Sequence, residues 1–214
     1  MIKIENVDVY GWEAAIRGAR NPMNSWDRID SATGFVNLAG EYSKLTYIIG
    51  PNDYKLLKKL CIAGPEHRKW NRMVTVTMDI TAPLYFLKEW DTYKVATVAN
   101  SCSTMHRIQS KEFDLSDFSC EHLNKESLEA LNFTIDVLNR ARDTFNSSKD
   151  KNWWWQMIQL LPTSYNQKRT VHLNYETLGA MYRQRKHHKL DEWREFCGMI
   201  EGLPYSEFIT MKFE

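Results

Sequence analysis

Apolar residues recur along this chain with two different periods, and the points where the period changes divide it into elements. Residues Ile2 to Val9 alternate as a strand does, and Trp12 to Ala19 suit a short helix ahead of the turn-rich Asn-Pro-Met-Asn-Ser-Trp-Asp segment at 21–27. After Pro51, Leu56, Leu57, Leu60 and Cys61 fall on one helical face, with Asn52 placed to cap that helix. Val74, Val76, Met78 and Ile80 then alternate with Thr75, Thr77 and Asp79, the period of a strand with one buried face. Ala82 to Trp90 turns helical. From Asn124 onward, Leu128, Leu131, Ile135, Leu138 and Phe145 mark a long amphipathic helix that ends before a surface loop at 146–151. Glu176 to Lys186 and Asp191 to Glu201 read as two further helices, the second with Trp193, Phe196, Cys197 and Ile200 on one side.

This order of elements predicts an α+β fold: a mixed or antiparallel sheet flanked by helices, with one long helix and a helical C-terminal half. At 214 residues and 43% hydrophobic content the chain can bury one sizeable core, so residues 1–214 are expected to form a single domain. No repeat, low-complexity tract or linker divides it.

Charge and cysteine usage narrow the function classes. Lys and Arg number 28 against 27 Asp and Glu, so the overall field offers no general attraction for a polyanion, and nucleic acid is not expected as a partner. No stretch approaches the roughly 18 to 20 apolar residues of a membrane span, and no membrane association is expected. Cys61, Cys102, Cys120 and Cys197 are widely separated, which fits reduced thiols and a cytoplasmic protein. Metal-ligand spacing, a phosphate-binding glycine loop, a dinucleotide fingerprint and a Gly-x-Ser-x-Gly elbow are all absent from the sequence.

Three segments carry polar chemistry. Arg183, Arg185, Lys186, His187, His188 and Lys189 form the densest basic cluster. On a helix Arg185 shares a face with Met181 and Tyr182, so it is the member set to point inward; otherwise it offsets the helix dipole from the C-terminal end. Asn100, Ser101, Cys102, Ser103 and Thr104 offer small hydrogen-bonding groups that either cradle a phosphate or ribose or simply make a turn. His67, in Gly-Pro-Glu-His, either reaches a phosphate or closes its turn. Consecutive Trp153, Trp154 and Trp155 are expected to pack in a core or interface.

Two blocks, 63–106 and 160–196, together resemble the flavin-dependent thymidylate synthases of the ThyX type. The upstream block has the family's order: helix and Gly-His turn, strand, a helix opening with Ala82-Pro83, and then the Arg-His-Arg-x-x-Ser-x-Asn-x-x-Ser-x-Arg-Tyr signature. Counted without gaps, the signature positions hold Thr92, Tyr93, Lys94, Thr97, Ala99, Cys102, Thr104 and Met105, and Lys94 alone keeps a charge. A slip of one residue places Asn100 and Ser103 on the family's Asn and Ser instead. Downstream, Leu161-Pro162, Asn174, Arg185 and Glu192-Trp193-Arg194 match the family's Leu-Pro, its helix-opening asparagine, its uracil-contacting arginine and its Glu-Ile-Arg. Ala19-Arg20 is similar to its Ala-Ala-Arg. Ile158 replaces an arginine that the family places near the nucleotide, with Gln156 and Gln159 nearby.

The resemblance implies a homotetrameric flavoprotein that uses FAD, NADPH and methylenetetrahydrofolate to methylate C5 of a pyrimidine nucleotide, dUMP or a relative, without a cysteine nucleophile. It assigns catalysis to Arg185. His67, Thr92, Tyr93, Lys94, Asn174, Tyr175 and Glu176 would bind the cofactor, and Glu89 and residues 100–104 would join Arg185 around the substrate. The eroded signature implies as alternatives an enzyme with altered chemistry or a non-enzymatic nucleotide- or flavin-binding protein on the same scaffold.

Overall fold

The structure is a computed structural model that describes residues 2–37 and 43–211. In chain order its elements are β1 (Lys3–Tyr10), α1 (Trp12–Arg20), β2 (Ala32–Asn37), β3 (Ser43–Ile48), α2 (Pro51–Ile62), β4 (Thr75–Pro83), α3 (Leu84–Trp90), β5 (Val98–Ser101), α4 (Lys125–Ser148), α5 (Lys151–Leu160), β6 (Asn166–Asn174), α6 (Tyr175–Arg185), α7 (Asp191–Glu201) and α8 (Glu207–Thr210). Four strands pair antiparallel in the order β1-β4-β6-β5, and β2 and β3 form a separate hairpin.

The alternation in β4 organises the molecule. Val76, Met78, Ile80 and Ala82 are fully buried against α1, α2, α3, α6, α7 and α8, while Asp79 and its neighbours face the other way. On that second face Asp79 accepts hydrogen bonds from Thr170 Oγ1 at 2.6 Å and Asn6 Nδ2 at 2.9 Å, with Lys168 Nζ at 3.1 Å. A second core forms where α4 and α5 pack on the loop at 108–118. Ile108, Phe113, Phe118, Leu131, Ile135, Leu138, Ala141 and Met157 fill it.

Several boundaries differ from the sequence expectation, each for a local reason. Ala82 and Pro83 finish β4, so α3 begins only at Leu84. The segment at 146–151 is no loop: Asn146 to Ser148 complete α4, Lys149 stops it in a left-handed conformation (φ 59°), and the Asp150 carboxylate caps α5 by accepting from the Asn152 N–H at 2.9 Å. Asn52 does not cap α2. That helix starts with Pro51 after Gly50, and the Asp30 carboxylate accepts the N–H groups of Asn52 (2.9 Å) and Asp53 (3.0 Å). Arg20, buried on α1, holds the same region by donating twice to Asp53 Oδ1, at 2.8 and 2.6 Å.

Candidate functional site

Asn174 ends β6 and opens α6, its side chain accepting from the Thr177 N–H at 2.9 Å. The eleven-residue helix then delivers Arg185 at its C-terminal end, where the guanidinium folds inward against α7 and the segment after α3. Its carbon lies 4.9 Å from the centre of the buried Trp193 ring and 5.6 Å from that of Tyr93. Nε donates to Tyr93 Oη at 2.9 Å, and Nη1 lies 3.0 Å from Glu89 Oε2. The same Glu89 oxygen accepts from Trp193 Nε1 at 2.9 Å and faces His188 Nε2 at 3.4 Å. His188 Nδ1 accepts the Leu190 N–H at 3.2 Å, so the proton of the neutral ring sits on Nε2, toward Glu89. Arg185 is thus fixed by two of its nitrogens and two ring faces. Its Nη2 makes no hydrogen bond among the described residues.

Beside this cluster a cleft of about 410 Å³ is bounded by Arg72, Thr92, Tyr93, Lys94, Asn174 and Glu176. Glu176 is held in a two-pronged pair by buried Arg68, whose Nε and Nη2 lie 2.8 and 2.9 Å from its oxygens. Thr92 Oγ1 donates to the Glu89 carbonyl at 2.7 Å. Arg72 and Lys94 are exposed and carry no ion pair among the described residues, so the donor set fits an anionic group.

Residues 102–104 line a different cleft, and Asn100 and Ser101 line neither. Asn100 and Ser101 pair with Thr170 and Arg169 as the exposed edge strand β5. The Cys102 N–H donates to the Lys168 carbonyl at 2.9 Å, and Gln167 Nε2 donates to the Cys102 carbonyl at 2.7 Å. Ser103 Oγ accepts the N–H groups of Met105 (3.2 Å) and His106 (3.0 Å), so this hydroxyl makes the turn. Cys102, Ser103 and Thr104 border a cleft of about 470 Å³ with Arg107, Tyr165 and Lys168. A relay of hydrogen bonds connects the two regions. Arg169 Nη1 reaches Asp91 Oδ1 at 2.6 Å, Arg169 Nε reaches Gln167 Oε1 at 3.0 Å, and Gln167 holds the Cys102 carbonyl.

Like Asn100 and Ser101, two further sequence candidates lie outside both clefts. His67 is exposed in its turn, its N–H donating to the Gly64 carbonyl at 3.1 Å and its ring 3.8 Å from Glu66; it lines neither cleft. Tyr175 is wholly buried in the main core, edge-on to Trp12, with its hydroxyl donating to the Pro204 carbonyl at 2.5 Å. The sequence does not single out Trp193, Arg72 or Arg107, and it offers His188 only as a member of the basic cluster. Trp193 reads in sequence only as one apolar member of a helical face, and its indole N–H acquires meaning when Glu89 arrives from another element.

No protein-family model matches the chain, and no curated protein sequence does. Solved structures resemble it over nearly its whole length. A flavin-dependent thymidylate synthase, ThyX, from Helicobacter pylori, complexed with FAD and dUMP, superposes with a TM-score of 0.68 at 16% identity, covering 99% of this chain and 100% of that one. A UMP/dUMP methylase, PolB, from Streptomyces cacaoi, bound with 5-Br dUMP, gives 0.60 at 14% identity over 94% and 89%. The chain therefore has the ThyX fold, α+β with antiparallel sheets.

Proposed function

We propose that this protein is a divergent ThyX-type flavoprotein that modifies C5 of a pyrimidine nucleotide, dUMP or a close relative. The observation that carries this reading is the Arg185 guanidinium, immobilised against Glu89, Tyr93 and Trp193 with Nη2 unengaged. A planar cation held this way can donate to a carbonyl of the uracil ring and stabilise negative charge that gathers on the ring oxygen as C5 forms its new bond. Glu89 orients the guanidinium through the ion pair, and His188 and Trp193 orient Glu89.

Arg72 and Lys94, with Thr92 and Tyr93, would hold the phosphates of FAD. Bound FAD would supply the hydride chemistry that none of these side chains can perform. NADPH and methylenetetrahydrofolate are the co-substrates this reading entails, and a homotetramer its assembly. A thiol nucleophile has no place in it. Cys61 and Cys197 are buried, and burial pushes their thiols up to about 12 and about 11.

A second reading rests on two observations: Glu89 already matches the charge of Arg185, and Lys94 is the sole charged survivor of the signature. This favours a changed substrate or a binding protein without turnover. Visible absorbance of the purified protein, before and after adding FAD, separates the possibilities. Retained or bindable flavin, with dTMP formed from dUMP and lost in Arg185→Ala, is the expected result. Absence of any flavin binding sinks the flavoenzyme reading, and bound flavin without dTMP moves the assay to other pyrimidine nucleotides.

A further inference from the structure

Tyr93 borders the cleft of about 410 Å³ and also belongs to the Arg185 cluster, and its hydroxyl serves both. A phenol has one proton to give. The Arg185 guanidinium can only donate, so the Tyr93 oxygen accepts from Nε at 2.9 Å and sends its own proton to Gln184 Oε1 at 2.8 Å. Gln184 therefore presents its carbonyl oxygen to Tyr93 and turns its amide nitrogen away from that hydroxyl. The reverse orientation of the amide would leave the Tyr93 proton without an acceptor. Gln184 Nε2 makes no hydrogen bond among the described residues, and Gln184 lines the cleft. Each donor in the series is thus set by the one before it: Arg185 to Tyr93, Tyr93 to Gln184, and Gln184 toward the cleft.

The segment that carries Tyr93 is held along α6 from both ends of that helix. Thr177 Oγ1, in its first turn, donates to the Val95 carbonyl at 3.2 Å, and Gln184, in its last, takes the Tyr93 proton. Within the segment the Tyr93 N–H donates to the Trp90 carbonyl at 3.0 Å, and Thr97 Oγ1 donates to the Tyr93 carbonyl at 2.6 Å. Gln184 and Arg185 are consecutive, so their side chains leave the helix about 100° apart and only a group from another segment can join them. Tyr93 is that group. Gln184 is exposed and belongs to neither core, so packing does not require the pairing.

We propose that Gln184 is a positioning residue that couples occupancy of this cleft to the setting of Arg185. A ligand atom that accepts from Gln184 Nε2 holds the amide with Oε1 on Tyr93, and a Tyr93 hydroxyl held there keeps its lone pair on Arg185 Nε. The ligand is the flavin of the reading above, whose anionic groups suit the exposed Arg72 and Lys94, and the coupling rests on that reading; the order of donors within the protein does not. Loaded protein then holds the guanidinium more firmly than empty protein, so a pyrimidine meets a fixed cation only when the flavin is in place.

Solvent exchange of the Arg185 Nε–H, followed by heteronuclear NMR and assigned by its absence in Arg185→Lys, tests this in wild type, Gln184→Leu and Gln184→Glu with FAD as the probe. In free protein, Gln184→Leu should speed exchange about two- to tenfold, the equivalent of one net hydrogen bond, and Gln184→Glu, which keeps an acceptor for Tyr93, should restore slow exchange. FAD should slow exchange further in wild type and not in Gln184→Leu. Equal exchange in free wild type and free Gln184→Leu overturns the positioning role, whatever flavin does. If both slow alike on binding FAD, the coupling is overturned and the flavoenzyme reading survives. Wild type that binds no FAD overturns the coupling and the flavoenzyme reading together. Unaltered melting of both variants would show that faster exchange is not lost fold.

Discussion

Asp79 illustrates how one side chain on the polar face of a sheet couples several strands. It lies on β4, takes hydrogen bonds from Thr170 on β6 and Asn6 on β1, and faces Lys168 on β6. The Thr170 hydroxyl foremost, then Asn6 and Lys168, hold its carboxyl down to about 2, from an ordinary 3.8. A carboxylate whose pKa is depressed on folding binds fewer protons folded than unfolded, so its contribution is present above pH 3.8 and lost as pH falls toward 2. Chemical denaturation at a series of acid pH values should therefore show stability falling between pH 4 and 2, and Asp79→Asn should flatten that limb. An unchanged limb in the variant would mean other carboxylates dominate acid unfolding. At this same scale the sequence was informative only where one residue suffices. Arg185 could be singled out, because its helical face and its aligned position agree. Its setting could not, since Glu89, Tyr93, His188 and Trp193 come from separate segments and their meeting is a tertiary fact. His67 shows the converse: its turn is local, closed by its own N–H on the Gly64 carbonyl.

Among the elements, strong periodicity was the part of the chain that could be read. Strand β4 and helices α4, α6 and α7 each bury a regular apolar row, and burial against a core is what a period reports. Strand β5 is exposed at all four positions, and β6 is mostly polar with Val171 and Leu173 as its buried apolar residues, so hydrogen-bond pairing forms them with little hydrophobic signal. Helix α5 was hidden by its tryptophan run, which packs partly on the second core and partly toward solvent. The start of α2 was misplaced for a related reason. Its orphan N–H groups are satisfied from across the chain by Asp30, twenty-two residues before Asn52. Asp30→Ala should therefore cost about 1 kcal/mol, the usual loss for an N-cap carboxylate. Urea denaturation measures it, and Asn52→Ala, which removes no cap, should change stability by less than roughly 0.5 kcal/mol.

Across the whole molecule, the two regions rest on different cores, Arg185 on the main one and Arg107 on the second. The residues at 163–165 join them. Leu84 and Tyr85 N–H groups donate to the Tyr165 and Thr163 carbonyls, each at 3.0 Å, on the side of α3, while Ser119 N–H donates to the Ser164 carbonyl at 2.8 Å on the other side. The Tyr165 ring lies 5.6 Å from Phe118 and 6.2 Å from Phe113, in edge-on contacts within the second core. We propose that this seam makes the chain one cooperative unit, so that damage to the second core is felt at the first. Leu138 is fully buried there, and truncation to Ala should cost about 2 to 5 kcal/mol. Scanning calorimetry of Leu138→Ala should then show a single transition lowered by roughly 2 to 4 °C for each kcal/mol lost. Two resolved transitions, with the upper one at the wild-type temperature, would show instead that the helical hairpin of α4 and α5 melts by itself. In that case the turn carrying Arg107 would loosen before Arg185 lost its partners.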